Sequence, residues 1–350
     1  MAGRPGPDSD TVTGTDCIAG TIIGKPGVMA CFWGSHMGLV DLMLERIGTS
    51  WRIVSHTSEA RPIFQRKEDR SISPRVEDVP EVLAAAQGEH DATLEYVRGA
   101  VGKTEPPLHS YFALIADDPS FQIVSIAQGW YIAQILAGTE YADFPLLSAA
   151  APFKAGGRGG PEHYTNVPMG NVAIRNVANL YLYPNTVRAV VVTGAQVKDW
   201  LERSAGIFNQ IAPGQADQTL INDGTVMDVA ASRIVDLAWN GTPIYPAQRF
   251  MVATNKYRAG GGGAFPGADG TTVIFEAPDT NQDGIVRYIV DQGTINSAGD
   301  ANWGFAALPG TTVLFDTRPG GAKFLSDVKG VQVEAAGNAV DGFARFRITL

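Results

Sequence analysis

The sequence contains little cysteine and has no long apolar run. Its only cysteines, Cys17 and Cys31, could form one small disulfide in an oxidising compartment or remain free thiols, and their spacing matches no metal motif. No stretch approaches the roughly 18 apolar residues of a membrane-spanning helix, so we expect no contact with a membrane. The polar start, "MAGRPGPDSDTVTG", lacks the apolar segment of a secretion signal, and we expect no signal peptide in the sequence as written.

Basic residues are also scarce relative to acidic ones. Lys and Arg number 27 against 36 Asp and Glu, which gives a formal net charge of −9. An acidic chain is poorly suited to neutralising a phosphate backbone, so we expect no nucleic-acid partner. Small anionic ligands stay possible where a few basic residues are gathered locally. With 45% hydrophobic residues in 350, the chain has enough apolar material for a packed core in one large or two smaller domains.

The sequence lacks the residue patterns of metal-dependent and serine-dependent hydrolases. Its histidines form no HxH, HExxH or DxH pair; they are His36, His56, His90, His109 and His163. A dinuclear phosphoesterase needs clustered Asp, His and Asn ligands around two metals about 4 Å apart, and no GxSxG motif is present. The stretch 279–290 imitates a calcium loop but has Val290 where a bidentate Glu is needed, so it predicts the start of a helix. We therefore assign no catalytic residue and no metal ligand to this chain.

The first third of the chain predicts strands followed by one long helix. Alternating apolar residues over 27–64 indicate strands joined at the turn "GTS". The segment "EDVPEVLAAAQGEHDATLEYVRGAVG" carries apolar residues at helical spacing and ends before Pro106 and Pro107. We predict a β-rich part over residues 1–76, a linker helix over 77–105 and a larger domain over 106–350.

The rest of the chain alternates predicted helices and strands, which indicates an α+β fold. "DDPSFQIVSIAQGWYIAQILAGT" predicts a helix capped near Asp117 or Asp118, and "VRAVVVTG" predicts a β-branched strand. Residues 232–257 predict a hairpin with its turn at "NGTP". A helix is predicted over 281–292, and the C-terminal tail is strand-like.

Two glycine-rich loops carry basic residues. "FKAGGRGG" holds Lys154 and Arg158, and "NKYRAGGGG" holds Tyr257 and Arg258. Each loop follows a predicted strand, where exposed backbone N–H groups and basic side chains suit a phosphate or carboxylate. The aromatic ring of Tyr257 offers a face on which a base could stack. The alternative, a flexible turn with solvated charges, stays open from the residues alone.

Several long stretches of the sequence are characteristic of one enzyme family; they include "VMACFWGSHMG", "HDATLEYVRGAVG", "SYFALIADDPSFQIVS", "YADFPLLSAAAPFKAGGRGGPEHYT", "VANLYLYPNTVRAVVVTGAQVKDWLERSAGIFNQI" and "FMVATNKYRAGGGGAFPG". Together they closely resemble the bifunctional 2′,3′-cyclic-nucleotide 2′-phosphodiesterase/3′-nucleotidases of the wider 5′-nucleotidase family. The resemblance runs from about residue 20 to about residue 310. The resemblance implies a metallophosphatase domain holding two divalent metals, a connecting helix and a C-terminal domain that grips the nucleobase between two aromatic rings.

The same resemblance implies a set of substrate-binding residues. Tyr257 corresponds to one of the two stacking aromatics, with Arg258 and the bare backbone of Gly260 and Gly261 beside it. The remaining members of the set lie in other stretches near the substrate cleft and are Lys154, Arg158 and Asn185. The implied ligands are nucleosides, 3′-nucleotides and 2′,3′-cyclic nucleotides, and the implied location is the periplasm.

The chain also departs from the family pattern. The Gly-His-x-His motif and the other metal ligands of the family are absent, so we expect residues 1–76 to be the last strands of the metallophosphatase domain and no cofactor to be bound by this chain. "INDGTVMDVAA" stands where the family has its first stacking tyrosine. We therefore expect nucleoside binding with absent or impaired catalysis. The alternatives are a non-catalytic nucleoside-binding module, a partner of a separate metallophosphatase chain, or a gene fragment without function.

Overall fold

A computed structural model describes most of the chain, and it divides the chain into two compact units. The described residues are 14–16, 18–30, 34–67, 71–156, 159–206, 220–222, 233–339 and 342–350. Cys17, Cys31 and Arg158 lie outside them, as does most of the stretch "INDGTVMDVAA". The units are residues 1–91 and 92–350. In the described part of the chain, no helix combines the length and the apolar character needed to cross a membrane.

The first unit is built mainly of short strands and one long hairpin. Its strands are β1 (Thr15–Asp16), β2 (Thr21–Ile22), β3 (Lys25–Pro26), β4 (His36–Ile47), β5 (Ser50–Pro62), β6 (Phe64–Arg66) and β7 (Ile72–Pro74). Strands β4 and β5 pair antiparallel from His36↔Pro62 to Ile47↔Ser50. Gly48 in the connecting turn has a φ of 61°, a left-handed conformation that glycine adopts without strain. The predicted hairpin at "GTS" is confirmed.

The apolar side chains of this hairpin are largely exposed. Met43 and Trp51 each keep 64% of their accessible surface. The helix that follows, α1 (Pro80–Arg98), begins in the first unit and ends in the second. It confirms the predicted long helix, yet none of its residues is buried. A two-stranded hairpin with two open faces is only marginally stable in water. Among the described residues of the first unit, the hairpin and the helix therefore form no closed apolar core.

The second unit contains the remaining elements. Its helices are α2 (Pro119–Leu136), α3 (Ile174–Leu180), α4 (Gly194–Ala205), α5 (Lys256–Ala259) and α6 (Asn281–Gln292), with a 3₁₀ segment over Pro319–Asp327. Its strands are β8 (Ala100–Thr104), β9 (Leu108–His109), β10 (Leu146–Ser148), β11 (Asn166–Val167), β12 (Gly170–Ala173), β13 (Thr186–Thr193), β14 (Leu220–Asn222), β15 (Ala238–Trp239), β16 (Thr242–Pro243), β17 (Arg249–Asn255), β18 (Val273–Thr280), β19 (Thr294–Ile295), β20 (Thr312–Thr317), β21 (Gln332–Asn338) and β22 (Ala344–Thr349). The mixture of helices and strands confirms the predicted α+β class.

A four-stranded sheet in the order β10-β17-β13-β18 lies at the centre of this unit. Strands β10 and β17 are parallel, whereas β13 is antiparallel to both β17 and β18. Side chains alternate between the two faces. Met251 and Ala253 pack in one core with Ile132 of α2, and Phe250 and Val252 pack in another with Trp200 of α4. Because both faces of the sheet are covered, the amino-acid sequences of β17 and β13 are nearly continuous apolar runs.

Two further sheets flank the central one within the unit. Strand β8 pairs with β12 and β19, so the residues just before the Pro-Pro pair form a strand of the second unit. The sheet β14-β20-β22-β21 contributes Phe315 and Phe346 to a core with Tyr111 and Phe112. Each sheet thus brings sequence-distant segments together around its own apolar cluster.

Helix starts were predicted well, because capping is a local interaction. The Asp118 side chain accepts the backbone N–H of Ser120 at 2.9 Å and caps α2. The Thr280 hydroxyl accepts the backbone N–H of Asp283 and caps α6. Residues 281–292 therefore form the predicted helix and not a calcium loop.

The hairpin predicted over 232–257 is wrong in its second strand. Strands β15 and β16 do pair around Asn240 and Gly241, both of which have positive φ. Strand β17, however, pairs with β13 and β10. Its apolar surface is buried in full only at the centre of a sheet, which a local hairpin could not provide.

A pair of acidic residues joins two distant segments of the second unit. Asp117 is buried, and its Oδ2 accepts the backbone N–H groups of Asp300 at 2.6 Å and Ala301 at 3.1 Å. Burial, together with a hydrogen bond to the Asp300 carboxyl, raises the pKa of Asp117 to about 6. The folded state therefore holds this proton more tightly than the unfolded chain does.

This raised pKa predicts a pH-dependent loss of stability that Asp117→Asn should remove. Between about pH 4 and pH 6 the folded state binds more protons than the unfolded state, so wild-type stability should fall as pH rises through this range and then level off. An amide cannot ionise but still accepts the two N–H groups. We expect the variant to be the more stable protein at pH 7, by at most about 3 kcal/mol, with a smaller difference toward pH 4.

Urea unfolding at pH 4 to 7, followed by near-UV circular dichroism, measures this difference. The exposed Asp143→Asn substitution removes the same charge elsewhere and serves as the control. An Asp117→Asn variant whose stability relative to wild type is the same at pH 4 and pH 7 would contradict the prediction.

Candidate functional site

The central sheet brings the two glycine-rich loops to one edge. Strands β10 and β17 are parallel neighbours, paired from Leu146↔Met251 to Ser148↔Ala253, so their carboxyl ends point the same way. One loop follows each of these strands. Strand β13 runs antiparallel, with Val187 opposite Asn255, so its beginning lies at the same edge together with Asn185. The space beyond the carboxyl ends of parallel strands is a common place for ligands to bind.

The loop after β17 begins with the single helical turn α5. The Asn255 side chain caps it by accepting the backbone N–H of Arg258 at 2.9 Å. The N–H groups of Gly260, Gly261 and Gly262 donate to the backbone oxygens of Lys256, Arg258 and Tyr257 at 3.0, 3.2 and 2.8 Å, respectively. Three successive turn bonds reverse the chain directly beside the tyrosine.

Two different physical constraints require glycine in this loop. Gly261 and Gly263 have φ values of 101° and 78°, which L-residues with side chains rarely adopt. Gly262 lies against the Tyr257 ring, and a Cβ there would come within 2.4 Å of Tyr257 Cε1. The Tyr257 side chain itself keeps 65% of its surface exposed. The loop thus presents an exposed aromatic ring backed by glycine.

Arg258 is a half-buried cation without an acidic partner. Its guanidinium carbon lies 3.6 Å from the centroid of the Phe265 ring and 6.0 Å from that of Trp200. Burial lowers the pKa of Arg258. Among the described residues, none forms an ion pair or a hydrogen bond with its guanidinium. A partly desolvated charge without a counter-charge is costly unless a ligand or water completes it.

The loop after β10 presents a second cation of this kind. Lys154 Nζ donates to Asn179 Oδ1, and burial lowers the pKa of Lys154. No carboxylate of the described residues pairs with it. Gly156 turns the chain with a φ of 79°, and a Cβ there would meet the Tyr164 hydroxyl at 2.4 Å. Lys154 is therefore placed beside the segment that leads to Asn185.

An aromatic and amide cluster connects the two loops. The Phe153 ring lies edge-on to Tyr181 and Tyr183, with centroid distances of 4.7 and 5.3 Å. Tyr181 is buried, and burial raises its pKa to about 12. Its hydroxyl faces the side chains of Asn185 and Asn255, but no hydrogen bond of good geometry reaches it. This end of the sheet therefore contains polar groups that the protein itself does not satisfy.

The structure brings together most of the residues implied by the resemblance. Tyr257, Arg258, Gly260 and Gly261 share one turn, and Lys154 and Asn185 lie at the same sheet edge. The position of Arg158 lies outside the described residues. The sequence analysis did not identify six further residues of this region, which are Phe153, Asn179, Tyr181, Trp200, Asn255 and Phe265. The aromatic run "LYLYPN", which ends at Asn185, was a signal that could have identified Tyr181.

The described residues do not fit a pair of divalent metals. No group of three or more His, Cys, Asp or Glu side chains among them could hold a metal ion. A histidine and two carboxylates do approach one another, with His109 Nδ1 3.5 Å from Asp118 and Nε2 3.9 Å from Asp327. The ring is buried against Phe324 and Tyr111, at centroid distances of 4.4 and 5.3 Å, and the histidine and the two carboxylates do not form a group that could hold a metal ion.

Comparison with known proteins agrees with the α+β fold. The family model described as the 5′-nucleotidase C-terminal domain matches residues 132–270, which include both glycine-rich loops. A trifunctional nucleotide phosphoesterase of Bacillus subtilis, YfkN, is 42% identical over 85% of this chain and 22% of its own length. A 2′,3′-cyclic-nucleotide 2′-phosphodiesterase/3′-nucleotidase of Salmonella typhimurium is 37% identical over 99% of this chain and 59% of its own length.

The chain thus spans less than two thirds of the length of these relatives. A solved 5′-nucleotidase precursor from Thermus thermophilus aligns with 81% of the chain and 52% of its own, at 14% identity and a TM-score of 0.49.

The contact between Gly262 and Tyr257 predicts that Gly262→Ala destabilises this loop. The new methyl group must push the ring or the turn aside, which should cost about 1–3 kcal/mol of unfolding free energy. Gly129→Ala is the matched control, since a Cβ at this helical position meets nothing within 4 Å and should stabilise the protein by about 0.5–1 kcal/mol. Urea unfolding of both variants measures the contrast. A Gly262→Ala variant as stable as Gly129→Ala would show that the ring does not rest on the glycine.

Proposed function

This chain carries the C-terminal domain of 5′-nucleotidases and is a relative of the 2′,3′-cyclic-nucleotide 2′-phosphodiesterase/3′-nucleotidases, and from this premise we propose that it binds nucleotides at the carboxyl edge of its central sheet. The observation that supports the proposal most directly is the exposed Tyr257 ring beside two half-buried cations, Arg258 and Lys154, that have no acidic partner among the described residues. A nucleotide combines an aromatic base with an anionic phosphate, so it matches both features.

Within this proposal, residues 106–350 form the nucleoside-binding domain. Tyr257 stacks on the base, and the backbone of Gly260 and Gly261 lies against the nucleoside. Lys154, Arg158 and Arg258 supply positive charge, and Asn185 supplies an amide beside them. A single stacking ring contributes roughly 1–3 kcal/mol, so we expect a dissociation constant for adenosine on the order of 1 mM.

We further propose that the chain positions the substrate in a phosphoester-hydrolysing system and does not activate water by itself. Two divalent metals would supply the nucleophile in such a system, and the described residues do not fit them. Positioning a substrate is a separate contribution to rate, because it removes the entropic cost of orientation. The periplasm is the location that the resemblance favours.

Substitution of Tyr257 tests the binding proposal. Tyr257→Ala removes the stacking ring and should weaken adenosine binding about fivefold or more. Tyr257→Phe keeps the stacking face and should bind like the wild type. Tyr245→Ala removes an equally exposed tyrosine, 65% in both cases, before β17 and far from the site, and should have no effect.

Ligand-observed NMR titration with adenosine measures these affinities. Unchanged binding by Tyr257→Ala would remove the ring from the site, and a micromolar wild-type dissociation constant would show that more than one ring is involved.

A hydrolysis assay tests the catalytic part of the proposal. With 3′-AMP and added manganese, we expect the purified chain to release no phosphate above a blank, because its described residues hold no metal pair. Release that chelation abolishes would overturn this expectation.

A second candidate function is supported by the first unit, whose hairpin and α1 expose large apolar residues. According to this second candidate function, the chain is the partner of a separate metallophosphatase polypeptide that covers these surfaces and supplies the metals. The part of the Salmonella relative that the match leaves uncovered is a suitable test polypeptide. Phosphate release on mixing the two would favour this function, and inactivity of the mixture would argue for a non-catalytic binding module.

A further inference from the structure

The loop after β17 holds Arg258 in an unusually constrained position. Its guanidinium carbon lies 3.6 Å above the Phe265 ring, with Trp200 6.0 Å away. We infer that Arg258 recognises the phosphate of the ligand and that Phe265 is the positioning residue that fixes the guanidinium for this contact. This inference rests on the proposed function and deepens it, since it names the residue that separates nucleotides from uncharged nucleosides.

Phe265 is itself held by helix α4. The Trp200 ring lies edge-on to it at a centroid distance of 5.5 Å, and the Arg203 guanidinium lies 5.8 Å from its centroid. Trp200 Nε1 donates to the Pro266 oxygen at 2.7 Å, and Arg203 Nε donates to the Gly263 oxygen at 2.8 Å. The backbone is therefore tied to α4 on both sides of Phe265, so the ring is a rigid support.

A guanidinium that stacks on a ring through its face keeps its N–H groups directed outward in its own plane. In Arg258 these groups have no acceptor among the described residues. Cation–π contact orients the charge but does not satisfy its hydrogen-bond donors. The support thus presents unsatisfied donors in a fixed direction, which is the arrangement that bidentate recognition of a phosphate requires.

Other polar atoms at this end of the sheet are also unsatisfied. The structure places four buried oxygens without hydrogen-bond partners at the starts of β13 and α6 and around the end of β17; they belong to Tyr181, Thr186, Thr254 and Asn281. Tyr181 interacts electrostatically with Arg258. Buried polar groups are normally paired with protein, water or ligand. These four oxygens are enclosed by the protein, so the group that can meet a ligand directly is the half-buried Arg258 guanidinium.

The chemistry of the missing partner follows from these donors. A neutral nucleoside offers hydroxyl groups but leaves the Arg258 charge uncompensated, whereas a phosphate offers several charged acceptor oxygens. Arg258 should therefore contribute to the binding of 3′-AMP much more than to that of adenosine. The ratio of the two dissociation constants isolates this contribution, because base stacking on Tyr257 is common to both ligands.

The test compares 3′-AMP and adenosine by NMR titration at low salt. We expect the wild type to bind 3′-AMP about tenfold to a hundredfold more tightly than adenosine, and Arg258→Ala to lose most of this preference while its adenosine affinity changes less than about threefold. Arg249→Ala is the matched control. Arg249 makes the same type of stack, 5.2 Å from the Phe144 centroid, but at the opposite end of β17.

Phe265 variants test the positioning role. Phe265→Tyr keeps the ring face and should retain the wild-type preference for 3′-AMP. Phe265→Leu keeps apolar bulk without a π face and should lose at least about threefold of that preference, with adenosine binding retained. Circular dichroism and thermal melts establish that the tyrosine and leucine variants are folded before their affinities are compared.

The outcomes separate this inference from the proposed function. If the wild type binds neither ligand, the proposed function itself fails. If it binds both with equal affinity, or if Arg258→Ala keeps the preference for 3′-AMP, nucleotide binding stands but Arg258 is not the phosphate contact. If Phe265→Leu weakens both ligands equally, or neither, Phe265 supports the loop without positioning the guanidinium.

Discussion

The pairing of three strands controls the geometry of the candidate site. Strands β10 and β17 run parallel, and β13 runs antiparallel to β17. This arrangement makes two strand ends and one strand beginning meet at a single edge. Lys154, Asn185 and Tyr257 are far apart in the sequence, and each stands in a segment whose position the sheet fixes. Because both faces of the sheet are covered by helices, the site sits on a rigid support.

Electrostatics at this edge indicate what the site is built to hold. Arg258 and Lys154 are half-buried, and neither meets a carboxylate among the described residues. The chain has an acidic balance of −9, so counter-charges are abundant in its composition. Their absence around these two cations, among the described residues, is a local property of this sheet edge. It is the basis for our proposal that an anion arrives with the ligand.

The candidate site was predictable in part. Tyr257, Arg258 and the neighbouring glycines stand together in the sequence, and a resemblance of such long stretches implied their role. Their supports were not predictable, because Trp200 and Phe265 are 65 residues apart and meet only after α4 packs on the sheet. The interpretation of the glycines also changed. They are required by left-handed turn geometry and by contact with the Tyr257 ring, in addition to any backbone left bare for a ligand.

The sequence by itself determined the local elements: the hairpin at "GTS", the long helix after it, the cap of α2 at Asp118 and the helix 281–292. Caps, turns and apolar periodicity act over a few residues, so the sequence contains them directly. Only the tertiary structure decided the partners of β17, which the sequence assigned to a local hairpin. Strand pairing between distant segments depends on which apolar faces can be buried together, and that is settled when the whole domain packs.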